Sequence, residues 1–189
     1  MSSPNLEALI AEEARVIADQ MGQIAQWAES EEDVRHECNK LLEAFLKKAG
    51  LKIKGRHEYG LSGGRIDSKY AGVIIEYKTP ETSDKITDDP NGPGTRAVIE
   101  QIKKRFKDFQ HEEHVEPEKL FGVGTDGNMI VFVRQRGGKF EVEDPKPTTR
   151  HTIERLLRAL VIAGVRSCLL MFRRPPPSLR SERQVWNRK

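Results

Sequence analysis

Residues 72–78, Gly-Val-Ile-Ile-Glu-Tyr-Lys, constrain the fold of this chain more than any other segment. Their run of Val and Ile predicts a buried strand. Successive side chains of a strand alternate between its two faces, so Glu76 and Lys78 share one face with Ile74. Charged side chains are rare in such a strand unless a cation or a substrate uses them. The segment therefore predicts a central sheet with a functional site at the end of this strand.

A predicted hairpin brings a second acid toward Glu76. If Ala71 and Gly72 form a two-residue turn, Asp67 lies opposite Glu76, with the two Cβ atoms about 5 Å apart. Two carboxylates at that distance repel each other unless a cation lies between them, and Mg²⁺ prefers carboxylate oxygens. A slip of one residue in the pairing would place the two acids on opposite faces and would exclude a shared metal ion.

Hydrophobic spacing and turn residues predict the other elements. Ser30 and Thr149 are suited to cap the second and the last helix. The predicted helices cover residues 4–28, 31–49, 95–110 and 150–163, and the predicted strands cover residues 52–59, 64–68, 72–78, 120–123, 129–134 and 139–142. This order predicts an α/β fold with a mixed central β-sheet flanked by helices.

Composition predicts the domain organisation and the compartment. We expect an N-terminal helical extension (1–29), a main domain (30–172) and an Arg- and Pro-rich tail (173–189), which is predicted to be disordered. The net charge of +3 is too small to indicate general affinity for nucleic acid, so any basic surface must be local. The two cysteines lack metal-ligand spacing. Neither a signal-peptide core nor an apolar run of about 18 residues is present, which favours a cytoplasmic protein without membrane contact.

The acids and the lysine together resemble a known nuclease motif. Asp67 is followed, after eight intervening residues, by Glu76-Tyr77-Lys78. This pattern resembles the D…ExK core of the PD-(D/E)XK nuclease superfamily, with Ile66 in place of the Pro of the literal motif. The resemblance implies a restriction-endonuclease-like fold. It also implies that Asp67 and Glu76 bind Mg²⁺ or Mn²⁺, with the backbone carbonyl of Tyr77 as a further ligand. Lys78 would then assist the attacking water.

By this resemblance the chain is expected to be a metal-dependent endonuclease that hydrolyses DNA phosphodiester bonds in restriction–modification or DNA defence. It is similar to the N-terminal nuclease domains of restriction–modification enzymes. DNA is the implied partner, and a homodimer or a larger restriction–modification assembly is left open. Two alternatives are retained: a catalytically inactive DNA-binding or assembly module of the same fold, and a structure-selective repair or junction nuclease, or one that acts on RNA.

Such nucleases often carry an acid on the helix before the sheet and a Gln on the helix after it. Glu31 falls on the inward stripe of its predicted helix and is our first choice for the helix acid, with Glu32 as the second choice. A favourable charge at a helix N-terminus is the alternative role for Glu31. Gln101 is predicted to face the site from the later helix, and the alternative is a solvated Gln on a basic surface.

Basic residues near this core predict contacts to DNA phosphates, with a merely solvated helix face as the alternative. The predicted nucleic-acid-binding residues are Lys69 on the hairpin and Lys103, Lys104, Arg105 and Lys107 on the later helix. Between the hairpin and this helix, residues 81–94 are rich in Pro, Gly and Asp and are predicted to form a flexible loop that either gates the site or becomes ordered on DNA.

Two other motifs are excluded by their context. Gly122-Val-Gly-Thr-Asp-Gly127 matches the G-x-G-x-x-G dinucleotide pattern, but a strand is predicted to follow it where that site needs a helix. We therefore predict a hairpin turn there. His111-Glu-Glu-His114 is one residue short of the metalloprotease spacing and is predicted to be a surface helix end.

Overall fold

The computed structural model describes residues 3–173, and their side chains from residue 5 to residue 166. The helices are α1 (Ser3–Trp27), α2 (Glu31–Lys48), α3 (Pro93–Glu112) and α4 (Arg150–Arg173), with a 3₁₀ turn at Pro117–Lys119. The strands are β1 (Arg56–Leu61), β2 (Gly64–Tyr70), β3 (Val73–Tyr77), β4 (Phe121–Thr125), β5 (Met129–Arg136), β6 (Lys139–Val142) and β7 (Lys146–Pro147). The tail predicted to be disordered lies outside the described residues, apart from its first residue.

The seven strands form one mixed sheet in the order β1-β2-β3-β4-β5-β6, with β7 paired to β5. Every pair is antiparallel except β3 and β4, which run parallel because α3 crosses over between them. Helix α3 packs on one face of the sheet, and α1, α2 and α4 pack on the other. The predicted α/β fold with a mixed central sheet flanked by helices is confirmed. Within residues 3–173, no helix combines the length and apolarity needed to cross a bilayer.

The β2–β3 hairpin has the predicted register. Ser68 pairs with Ile75 and Tyr70 pairs with Val73. Ala71, the first residue of the turn, has a φ of +53°, which a two-residue hairpin turn requires. Continuing this register by one step places Asp67 opposite Glu76, so the slip that would have separated the two acids does not occur.

Three predictions of local structure are wrong. The strand predicted from residue 52 begins at Arg56, because its partner β2 ends at Tyr70 and residues 52–54 lie beyond that end. Helix α4 continues to Arg173 rather than ending near residue 163. Its Gly164 packs tightly against Ile53, so this glycine serves a close approach rather than ending the helix.

The third wrong prediction concerns the loop after β3, residues 81–94, which hydrogen bonds tether to the rest of the domain. Ile86 is buried in the core beneath α3, and its backbone N–H donates to the Asp126 carboxylate at 2.9 Å. The N–H of Thr87 donates to the Thr95 hydroxyl on α3 at 3.0 Å. The predicted flexibility of residues 81–94 therefore does not hold at these anchored positions.

Candidate active site

Four elements bring six polar side chains together near the end of β3. Helix α2 begins with Glu31, β2 carries Asp67, β3 carries Glu76, and Lys78 follows β3 directly. Helix α3 contributes Gln101 and Arg105. These are the residues that the sequence predicted for catalysis, together with Arg105, which it assigned to the DNA-binding surface.

The two acids of the hairpin are buried and affect each other. Glu76 is fully buried, and Asp67 is 8% exposed. Asp67 accepts a hydrogen bond from the backbone N–H of Tyr77, with 2.8 Å between N and Oδ2. Burial, and then the Asp67 carboxylate, raise the pKa of Glu76 to about 9, while the Arg105 guanidinium opposes that rise. At neutral pH the pair therefore retains a proton unless a cation takes its place.

Helix α3 supplies a hydrogen-bond donor to each oxygen of Glu76. The Gln101 amide donates to Oε2 at 2.6 Å, and the Arg105 Nε donates to Oε1 at 3.2 Å. Gln101 thus faces the site, as the sequence predicted. Arg105 is a correction, because it is buried against Glu76 rather than exposed among the surface cations. The four-residue spacing of Gln101 and Arg105, which places both on one side of a helix, was the signal that could have identified it.

Two glycines on β4 bring α3 close enough for these contacts. A side chain at Gly124 would place its Cβ 2.8 Å from Val98, and one at Gly122 would collide with Ile102. Both neighbours lie on α3. Gly122 and Gly124 of the apparent dinucleotide motif therefore serve the packing of α3 on the sheet. The motif is followed by β5, which pairs antiparallel with β4, as the predicted hairpin requires. His111 and His114, from the other excluded motif, lie at and just beyond the C-terminal end of α3 and are exposed.

Glu31 reaches the site through Lys78. The Lys78 ammonium donates to Glu31 Oε2 at 3.2 Å, while its backbone N–H donates to the Thr125 carbonyl at 2.9 Å. Burial and the Asp67 charge raise the pKa of Glu31, and Lys78 opposes that shift. The alternative acid, Glu32, is exposed and pairs with Arg35. Glu31 is therefore the acid that the helix brings to the site, as predicted.

The start of α2 is fixed by its cap. Ser30 forms a capping box with Asp33, in which the Ser30 hydroxyl accepts from the Asp33 N–H at 3.1 Å. The predicted cap is confirmed. It sets the direction of the first helical turn, and hence the position of Glu31.

On the opposite face of β2 and β3 lies a group of polar side chains that we call the Asn39 cluster: Asn39, His57, Ser68, Tyr70 and Tyr77. The Asn39 carbonyl accepts from Ser68 at 2.9 Å, from Tyr70 at 3.0 Å and from Tyr77 at 2.9 Å. Its amide nitrogen lies 3.1 Å from His57 Nδ1. Burial raises the pKa of both phenols, so they remain hydrogen-bond donors. The sequence analysis missed this cluster.

Asp67 and Glu76 fit a divalent cation that is shared with a substrate. Mg²⁺ is commonly held by one or two carboxylates together with water and phosphate oxygens, which these two acids satisfy. Burial, and then the Asp67 carboxylate, raise the pKa of Glu76, and a cation between the two carboxylates would relieve both effects. Within the part of the chain that the structure describes, no group of three or more His, Cys, Asp or Glu side chains is arranged to hold a metal ion.

The predicted DNA-binding lysines differ in their exposure to solvent and in their ion pairs. Lys104 and Lys107 are exposed on α3. Lys103 pairs with Glu100 at 2.7 Å. Lys69 is buried, pairs with Glu113 at 2.8 Å and lies 3.7 Å from the centre of the Phe109 ring. Lys104 and Lys107 are therefore the better placed of the four for phosphate contacts.

In comparisons with family models, with curated proteins and with solved structures, nothing matches this chain. The case for a function therefore depends on the side-chain geometry and on the motif resemblance.

Proposed function

We propose that this chain is a Mg²⁺-dependent deoxyribonuclease that hydrolyses DNA phosphodiester bonds, with Mn²⁺ as an alternative ion. The observation that carries the proposal is the convergence of the Asp67 and Glu76 carboxylates in a buried position, with Gln101 hydrogen-bonded to Glu76 and Lys78 directly after β3. The PD-(D/E)XK resemblance supports the same reaction and extends it to restriction–modification or DNA defence in the cytoplasm.

Each side chain has a task in this proposal. A bound Mg²⁺ would polarise the scissile phosphate and lower the pKa of a water molecule. Asp67, Glu76 and the Tyr77 carbonyl would hold the ion. The Lys78 ammonium stabilises charge on the phosphate or orients the attacking water. Glu31 holds that ammonium in place, and Gln101 orients the Glu76 carboxylate.

Replacement of Lys78 tests the proposal. We expect the wild type to cut supercoiled plasmid with Mg²⁺ and not with EDTA, and Lys78→Ala to cut at least about 100-fold more slowly while still binding DNA. Lys47→Ala, which removes an exposed lysine from α2, is the matched control and should cut like the wild type. Equal cleavage by the Lys78 and Lys47 variants would remove the enzymatic proposal.

A second candidate is a catalytically inactive DNA-binding or assembly module. It is favoured by the hydrogen bonds to Glu76, because Gln101 donates to one carboxylate oxygen and Arg105 donates to the other. The carboxylate therefore has protein partners even without a metal ion. This candidate predicts DNA binding without cleavage at any Mg²⁺ or Mn²⁺ concentration. Supercoiled, linear, single-stranded and branched DNA, together with RNA, should be tested side by side, because cleavage of branched DNA or RNA alone would favour a structure-selective or RNA-directed nuclease.

A further inference from the structure

Arg105 occupies the position of a counter-ion in the proposed metal site. Its side chain is only 6% exposed, and its Nε donates to Glu76 at 3.2 Å. The same guanidinium donates from Nη1 to Asp108 at 3.2 Å and from Nη2 to the Arg65 carbonyl. Three partners therefore hold one buried positive charge beside the carboxylate.

A divalent cation on Glu76 would meet this charge at close range. Two like charges a few ångströms apart repel strongly where little water screens them. Without any cation, however, a buried carboxylate is costly, and a hydrogen-bonded arginine offsets that cost. The arginine that stabilises the metal-free site thus opposes the ion that the site would bind.

We propose that Arg105 is the resident counter-ion of Glu76, which stabilises the metal-free protein and weakens its binding of a divalent cation. This inference rests on the metal-dependent function proposed above. Arg105 is a positioning residue in this account, because it acts on the metal through Glu76. A purely structural Arg105, which only ties α3 to β2, would leave the metal affinity unchanged or lower it.

The decisive measurement is the Mg²⁺ affinity of Arg105→Gln without DNA, by titration calorimetry at pH 8.5, where protons compete less for Glu76 than they do at neutral pH. Arg96→Gln is the matched control, since it makes the same substitution at an exposed position of the same helix. We expect Arg105→Gln to bind Mg²⁺ about tenfold or more tightly than Arg96→Gln. Glu76→Gln should abolish the binding heat, which would assign it to this site.

Thermal unfolding gives an independent readout. In EDTA, Arg105→Gln should unfold roughly 5–10 °C below Arg96→Gln, because Glu76 loses its buried partner. Saturating Mg²⁺ should then raise its unfolding temperature more than that of the control. If Arg105→Gln is already unfolded in EDTA, a Mg²⁺ titration followed by circular dichroism replaces calorimetry. Recovery of the helical signal would support the proposal, and no recovery would overturn it.

The outcomes separate this inference from the function on which it depends. Mg²⁺ binding by the wild type with no tighter binding by Arg105→Gln overturns the counter-ion role and leaves the nuclease proposal intact. Absence of Mg²⁺ binding in the wild type, in Arg96→Gln and in Arg105→Gln overturns both. Binding by Arg105→Gln alone supports the inference most strongly.

Discussion

Strands β2 and β3 carry a buried polar cluster on each face, and the two differ in how their charges and hydrogen bonds are balanced. On the face toward α3, Asp67 and Glu76 place two carboxylates together, with Arg105 against Glu76. On the face toward α2, the Asn39 cluster contains hydroxyl, amide and imidazole groups that hydrogen-bond to each other. Tyr77 joins the two clusters, since its N–H donates to Asp67 and its hydroxyl to Asn39.

Under the proposed function, this difference is the one between a structural cluster and a catalytic one. Buried polar groups in folded proteins normally find partners, and the Asn39 cluster follows that rule through the hydrogen bonds among its members. The acid pair instead brings two carboxylates together, and burial, then the Asp67 charge, raise the pKa of Glu76 to about 9 although the Arg105 guanidinium opposes the rise. A buried acid with so perturbed a pKa, in a group of polar residues, is typical of catalytic and ligand-binding sites.

The largest expected effect is on catalysis, from Asp67→Asn. We expect plasmid cleavage to fall by about 1,000-fold, because a metal ligand and its charge are lost. The asparagine carbonyl can still accept from the Tyr77 N–H, so the metal-free unfolding temperature should be unchanged or higher. Initial cleavage rates and thermal unfolding in EDTA measure the two effects. Cleavage within threefold of the wild type would contradict the assignment of Asp67.

Asn39→Leu should show the reverse pattern, with a loss of stability and little loss of activity per folded molecule. Three buried hydroxyls lose their acceptor, which costs about 3 kcal/mol of unfolding free energy. For a chain of this length, that corresponds to a fall of roughly 6–12 °C in the unfolding temperature. Lys40→Leu, at the next and exposed position of α2, is the control and should change stability little.

For Asn39→Leu, cleavage is measured at a temperature where the variant remains folded. A loss of activity as large as that of Asp67→Asn, at full folding, would show that the two faces are not independent. The Tyr77 backbone would then transmit the disturbance to Asp67.

The pH dependence of stability should include a component from the acid pair. Glu76 has its pKa raised from 4.5 to about 9, so between these values the unfolded chain releases a proton that the folded protein keeps. Stability in EDTA must therefore fall as the pH rises through this window, by up to about 1.4 kcal/mol per pH unit. Glu76→Gln should lack this component, and Asn39→Leu should retain it.

Urea unfolding of the wild type, Glu76→Gln and Asn39→Leu in EDTA at pH 6, 7 and 8 gives the change of the unfolding free energy with pH. Titrations of other groups largely cancel in the difference between the wild type and Glu76→Gln. A difference that does not change with pH would show that Glu76 is ionised throughout, held so by Arg105.

Much of the acid cluster followed from local rules of sequence. Strand alternation and the turn at Ala71 fixed which residues of the hairpin share a face, and the pairing of Ser68 with Ile75 has that register. Helical periodicity placed Gln101 toward the sheet. Each of these inferences needs only the period of one element and the position of one turn.

The roles of Arg105 and Asn39 depend on distances between elements, which periodicity does not supply. Arg105 stands in a basic run that is typical of a solvated face, and it reaches Glu76 because Gly122 and Gly124 let α3 approach the sheet. Asn39 lies beside the apolar stripe of α2. The three hydroxyls that donate to it come from β2 and β3, which are distant from Asn39 in sequence. Packing between elements, rather than local pattern, decides both.

The smallest expected effect is on DNA binding, when an exposed lysine is replaced on one side of the sheet or on the other. Lys107 lies on α3, and Lys47 lies on α2 across the sheet. If DNA approaches from the side of the acid pair, Lys107→Gln should weaken binding a few-fold at moderate salt and reduce the slope of log affinity against log salt by about 1. Lys47→Gln removes the same charge and should leave that slope unchanged. Fluorescence anisotropy with a labelled duplex at several salt concentrations measures both slopes. An equal change in the two variants would mean that the protein's general charge, and not the α3 surface, attracts DNA.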